Sequence, residues 1–553
     1  MTATVERRSP DVVMRLERMG SFHQCRLSFM RTLLRRMKDE AWTFERPRFE
    51  IDDDGVGTAL YTAATPERTY TLVAFAHDLP DDMRSDRVIA TAWDSTFALH
   101  DGVPTEDDIE RLRANVPLQE AGRVSGSELT LSRANRSQRL WDSVVASLAA
   151  GDQPDSDLIE SVGYLMRTTA VYGSGKFGAA DRESIADRPE LLAPFQAEML
   201  TVFLIRAFVL DLVEHMARVA SPDAVVLDPA LRRRFGIGNS TGLGMAPFLI
   251  THPRLINNWI AAREEALYRV RSVASASPDE IGLFRSVVRR ARTSVERWNS
   301  EHDMQIAKLD ALRTDLDLLD AYLAVESLED ASPWDSLVSW AHDVLSLEGQ
   351  ELVVSMVLEP YGHLIDELTN TMHADESAPA KIDGSWSITE VRRSIAASYD
   401  WALDVDWDAQ SANARAWYVS EEKLEPRLGE RFEEPIADYE QPLQPGRDAA
   451  RMYDDLHEWE GHQTLGAFLR VHPEHRHTAR RLVVLQDAPY AEVRDNTIDA
   501  EMLPIDLPRA KLSFFGATHF DPRSDRWVRI NMFRGARWSS DCSVRSRTLR
   551  PVR

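Results

Sequence analysis

The chain has 553 residues, 43% of them hydrophobic and 28% charged, a balance that excludes global disorder and predicts two or three structural units rather than one core. Its 65 basic residues against 89 acidic ones give a net charge of -24, which repels phosphate backbones and argues against a nucleic-acid partner. Two cysteines, Cys25 and Cys542, are too few for a disulfide framework and suit a reducing compartment.

In chain order, a first helix is expected around Pro10 to Glu40. Extended segments rich in β-branched and aromatic residues follow at Phe49–Ile51, Thr58–Thr65, Thr69–His77 and Val88–His100. Asp54-Gly55 and Thr65-Pro66-Glu67 are turn signals between them, so successive antiparallel pairing is the economical reading. From Thr105, a plausible N-cap followed by three acids, the pattern turns helical. Ser277-Pro278-Asp279-Glu280 reads as a capping box with a first-turn proline, opening a helical segment that runs to about Glu326.

Within it, Ile306, Leu309, Leu312, Leu316, Leu319 and Leu323 recur every three or four residues, the spacing of a packing stripe or a subunit interface. A homo-oligomer would use this stripe. Residues 374–384 read as a surface or interdomain loop and 425–447 as a second break, before helical periodicity returns at Asp448–Val471. Lys511–Asp521 and Arg526–Phe533 read as two strands that could complete the N-terminal sheet. Residues 537–553, with five Arg and one Asp, read as a basic disordered tail.

The expected fold is therefore mainly α, a large helical body with a minor antiparallel β-sheet. The expected division is 1–104 (helix and sheet), 105–373 (helical body), 374–536 (helices ending in two strands) and 537–553 (tail). Met1–Pro10 lacks a following hydrophobic segment of signal-peptide type, and the longest apolar run is broken by Arg206 and Asp211. These features predict a soluble cytoplasmic protein without membrane contact.

Two glycine-rich stretches, Gly173-Ser-Gly175-Lys176-Phe-Gly178 and Gly236 to Gly244, bracket that run. The first matches a dinucleotide-binding pattern literally, but Asp157 to Thr169 before it read as helical, and Glu198, at about the required offset, begins the apolar helix rather than ending a second strand, so the setting of such a fold is not expected. What remains is an anion cradle of Lys176 and backbone N–H groups, or a plain surface turn. In the second stretch Asn239, Ser240 and Thr241 lie between glycines, either wrapping an anion or permitting close packing; His252 and Asn258 follow.

Arg206 has no acid three or four residues away on its helix, so its partner is a distant carboxylate or a substrate anion. Asp211 and His215 share a helix face, a spacing at which a carboxylate can orient an imidazole for proton transfer, or at which His simply sits near a helix end. Metal-binding alternatives are Glu359/His363/Glu367 and Glu458/His462, with His472, His475 and His477 clustered after a helix end. No resident metal or organic cofactor is assigned.

The functional expectation is an enzyme acting on a small carboxylate- or phosphate-bearing metabolite. Gly173, Gly175, Lys176, Gly178, Arg206, Asn239, Ser240, Thr241 and Asn258 would bind it; His215 or His252, with Asp211, would move a proton. The alternatives are a non-catalytic helical scaffold and a metal-dependent oxygenase or hydrolase.

Overall fold

A computed structural model describes residues 5–83, 92–116, 126–172, 187–242, 253–372, 381–407, 417–419, 426–428, 445–495, 506–517, 519–524 and 527–535. The chain divides into two interleaved units. One comprises 1–27, 242–514 and 521–528, and the other 28–241, 515–520 and 529–553. The break expected near residue 104 falls inside the second unit. The loop at 374–384 lies mostly, and the tail at 537–553 wholly, outside the described residues.

The sheet strands are β1 (Thr43–Ile51), β2 (Gly57–Ala64), β3 (Thr69–Ala76), β4 (Ser95–Asp101), β5 (Glu128–Arg136), β6 (Tyr164–Tyr172) and β7 (Gly236–Gly242). A separate two-stranded pair is formed by β8 (Trp417–Val419) and β9 (Pro426–Leu428), and β10 (His519–Ser524) and β11 (Trp527–Met532) close the series. Among the described residues the main sheet has nine strands in the order β1-β2-β3-β4-β5-β6-β7-β11-β10.

The sheet is thus larger than expected, and it is mixed. β1 to β4 are successively antiparallel, as expected, and β5 and β6 continue the antiparallel run, but β7 runs parallel to β6. A parallel pair needs a long crossover, and the connection between β6 and β7 contains the helix Gln196–Ala220. β5, β6 and β7 all lie in the segment expected to be helical. At the other end, Asp506–Phe515 is a helix rather than part of a strand, while β10 and β11 do join the N-terminal sheet.

Register explains the unit's core. Leu60 faces Val73, Val73 faces Ala98 and Ala98 faces Leu131, one row across four strands. That row packs with Ile109 and Leu112 of the helix Glu106–Asn115. Thr105 caps this helix through a reciprocal bond with Asp108. Residues one position along each strand point to the opposite face, where Tyr61 and Phe97 meet Phe208 of the helix Gln196–Ala220 at 6.3 and 5.5 Å between ring centres. That helix is buried from Gln196 to Glu214, which explains its lack of an exposed polar face.

The other unit is helical. Pro10–Glu40 is not one helix: Pro10–Val13 and Leu16–Gly20 belong here, and Phe29–Asp39 to the sheet unit. Ser277 and Glu280 form the expected capping box at the start of Pro278–Arg297. The chain breaks at Trp298–His302 before a second helix, Asp303–Val325. Leu309, Leu312, Leu316 and Leu319 on this helix are at most 2% exposed, so the stripe is used within the chain, while Ile306 is 38% exposed.

Beyond residue 381, the helices Ile388–Leu403, Pro445–Asp455, Leu465–Val471 and Arg476–Asp487 enclose their own apolar cluster, including Ile395, Tyr399, Met452, Phe468 and Leu482. Among the described residues no helix is long and apolar enough to cross a membrane.

Candidate functional site

The segment leading into the first glycine stretch is strand β6, which ends at Tyr172, and not the helix expected there. Gly173, Gly175, Lys176 and Gly178 lie outside the described residues, as does His252. Gly236 to Gly242 is strand β7 rather than a loop. Its glycines serve close packing: a Cβ on Gly238 would collide with the Tyr164 ring, and one on Gly236 with the Met532 carbonyl. Asn239 is a half-buried strand residue; the side chains of Ser240 and Thr241 lie outside the description.

Arg206 is buried, and backbone carbonyls are among its partners. Nε donates to the Phe235 oxygen at 2.6 Å, and the guanidinium reaches the Arg232 and Arg233 oxygens at 3.2 and 3.4 Å. These carbonyls end the helix Pro229–Arg234, where unsatisfied acceptors and the negative end of the helix dipole favour a cation.

Asp211 and His215 are not hydrogen-bonded to each other. Asp211 accepts from Tyr61 at 2.8 Å, from Arg46 at 2.9 Å and from Arg232 at 2.8 Å. Burial together with the Asp211 charge holds the Tyr61 hydroxyl well above its usual range. His215 instead donates to the Asp52 carbonyl at 3.0 Å and packs edge-on against Phe49.

In the helical unit Asn257 donates to Asn258 at 3.1 Å and accepts from the Tyr490 amide at 3.0 Å, a link between chain segments. Glu359, His363 and Glu367 sit on three successive short turns rather than one helix face. Glu367 pairs with Arg269. His462 is exposed and lies 3.4 Å from Glu460.

The strongest concentration of buried ionisable groups lies elsewhere in the helical unit. The helix Leu347–Val357 carries Glu348 and Glu351, one turn apart on the same face. Glu351 receives Arg8 at 2.7 Å, Arg18 at 2.8 Å and Arg263. Arg8 also binds Glu264 at 2.7 Å, and Phe22 lies 4.2 Å from the Arg263 guanidinium. Three arginines overcome the burial that would raise the Glu351 carboxyl and hold it far below the ordinary carboxylate range.

One turn earlier Glu348 is paired with Arg509 at 2.6 Å and lies 3.3 Å from Lys308 Nζ. His23 Nε2 is 3.5 Å away from its other oxygen. Asp506 completes the group, its Oδ1 3.5 Å from Lys308 Nζ and 3.8 Å from Arg509. The two carboxyls are displaced oppositely. Burial works against ionised Glu348, but Arg509, His23 and Lys308 outweigh it and hold this carboxyl well below its usual range. Burial dominates at Asp506, only partly offset by Lys308 and Arg509, and pushes it up to about 6.

Gln24 Oε1 and Gln305 Oε1 are buried without a hydrogen-bond partner among the described residues, and Asp506 Oδ1 and His23 Nε2 are buried with only their long contacts of 3.5 Å to Lys308 and Glu348. Gln305 stands one turn from Lys308 on the Asp303–Val325 helix. Buried polar atoms in native proteins are nearly always satisfied, so such a group marks a place for water or a ligand. Lys308 and His23 keep the most exposure of the five, 15% and 19%.

No family model, curated protein or solved structure matches this chain. Function therefore rests on the site alone.

Sequence reasoning stopped short of this cluster because its members are spread from His23 to Arg509. Two signals were present: acids at positions 348 and 351 leading into Leu352–Leu358, apolar but for Ser355, and the acid–base pair Asp506/Arg509 set among Ile505, Leu507, Ala510 and Leu512.

Proposed function

We propose that this protein is an enzyme that binds a small carboxylate- or phosphate-bearing molecule at the Lys308–Glu348–Asp506–Arg509 cluster and acts on it by proton transfer. The observation that carries the reading is the opposite displacement of Glu348 and Asp506 around one lysine. Carboxyls pushed apart in this way divide the acid and base roles, one staying ionised while the other exchanges a proton near neutral pH. Asp506 is the proton carrier in this reading, Glu348 the fixed counter-charge, and Lys308 and Arg509 the groups that orient the anion.

Charge supports an anionic ligand: Lys308 and Arg509 both face the two carboxyls of the cluster, and both are largely buried.

A thermal-shift screen of carboxylate and phosphate metabolites tests this with wild type, Lys308→Met and Asp506→Asn. Stabilisation of wild type by one such class, lost in Lys308→Met and altered in its pH dependence in Asp506→Asn, is expected. If no anion stabilises wild type, or if both variants respond as wild type does, the cluster is a structural ion network only.

A further inference from the structure

A second constellation, independent of the first, lies where three helices of the C-terminal helical region meet. Asp455 is the last residue of Pro445–Asp455. His472 caps the C-terminus of Leu465–Val471, and Pro473–His475 is a single tight turn into Arg476–Asp487. One ligand atom from each of Asp455, His472, Glu474 and His475 lies within 4.8 Å of all the others. From this geometry we infer that these four residues form a binding site for a divalent transition-metal ion of the zinc type.

The donor set is that of a borderline ion. Two imidazoles and two carboxylates suit zinc better than calcium or magnesium, which favour oxygen ligands alone. The spacing fits as well. His475 Nε2 is 2.7 Å from Asp455 Oδ2, and His472 Nδ1 is 3.3 Å from Glu474 Oε1. With metal–ligand bonds of about 2.0–2.2 Å, ligand atoms of a tetrahedral site stand roughly 3.4 Å apart. The imidazole centres are 6.1 Å apart, near the span of about 5–6 Å that two rings on one such ion adopt.

The rings are also held in place. Both stack on Phe468, at 4.7 and 5.6 Å between centres, and the Trp459 ring stands edge-on to Phe468. His475 is buried while the two carboxylates face solvent, so the site has a rigid floor and an open rim. Charge gives the second argument. Among the described residues neither Asp455 nor Glu474 has a Lys or Arg within ion-pair distance; each faces only its histidine. With neutral imidazoles the cluster carries two negative charges, the state a metal ion requires.

Such an ion would tie the end of one helix to the junction of two others. It has no shared residue with the Lys308 cluster, so either proposal can fail alone.

The test uses the full chain without a histidine tag, stripped with chelator and titrated with ZnCl2 by calorimetry, with Mg2+ as control. Expected are one Zn2+ per chain, a higher thermal midpoint with Zn2+ but not Mg2+, and intense visible absorption with Co2+ in place of zinc. His472→Ala and the more exposed Asp455→Asn should each weaken Zn2+ binding about a hundredfold or more. Retention of wild-type affinity in both variants, absence of stoichiometric binding by wild type, or equal stabilisation by Mg2+ would overturn the site.

Discussion

Glu348 and Asp506, two buried carboxyl groups, reach the same Lys308 ammonium at 3.3 and 3.5 Å, yet lie on opposite sides of the ordinary carboxylate range. The difference is one of partners. Glu348 has a close Arg509 as well as Lys308, whereas Asp506 sits 3.8 Å from Arg509 and has no hydrogen bond to Oδ1 among the described residues.

Asp506 therefore opposes stability as pH rises. Its folded value of about 6 exceeds the unfolded value of about 3.9. The native state holds the proton longer, so the favourable contribution is complete below the unfolded value and gone above about 6. Asp506→Asn should gain more relative to wild type at pH 7.5 than at pH 4.5 in urea midpoints. An identical difference at the two pH values would refute the assignment.

Glu348 and Glu351 have the opposite sign. Both are held below their unfolded values, so their stabilisation is present at neutral pH and is lost as acid protonates the folded form. Glu351→Gln leaves Arg8, Arg18 and Arg263 without their shared carboxylate and should destabilise by about 3–5 kcal/mol at pH 7. Chemical denaturation measures this, and a cost near zero would show the network to be replaceable.

Arg206→Met should cost about 3 kcal/mol, because the Phe235, Arg232 and Arg233 carbonyls lose a buried charged donor. Arg206→Lys cannot reproduce the fork and should recover only part of it. Neither should change the response to anions in the thermal-shift screen. A lost anion response in a folded variant would reassign Arg206 to ligand binding.

Gly20 ends the Leu16–Gly20 helix, where alanine would ordinarily be favoured. Here an added Cβ would collide with the Asp506 side chain. Gly20→Ala should therefore destabilise the protein and weaken the pH dependence assigned to Asp506. An alanine variant as stable as wild type, with an unchanged pH profile, would contradict that close approach.

Local chemistry was legible in the sequence wherever a few neighbouring residues decide the structure. The Ser277/Glu280 capping box and the β2–β3–β4 antiparallel run follow from turn and cap residues. β5 to β7 were not legible because β7 is glycine-rich and β6 follows the helical Ser156–Val162 segment; only pairing in three dimensions distinguishes them. The same limit hid the candidate site. The carbonyls that Arg206 binds carry no sequence signal, and Lys308, Glu348 and Asp506 converge from segments that share no motif.

The separation between Arg8 and its partners has a consequence for synthesis. Arg8 binds Glu264 and Glu351 across 256 and 343 residues, and residues 28–241, most of the sheet unit, are made in between. The sheet strands β1 to β7 can pair as they emerge, while the first 27 residues must wait on the ribosome for acids translated much later. Closing so long a loop adds only a modest entropic cost, but it delays these contacts until residue 351 has been made.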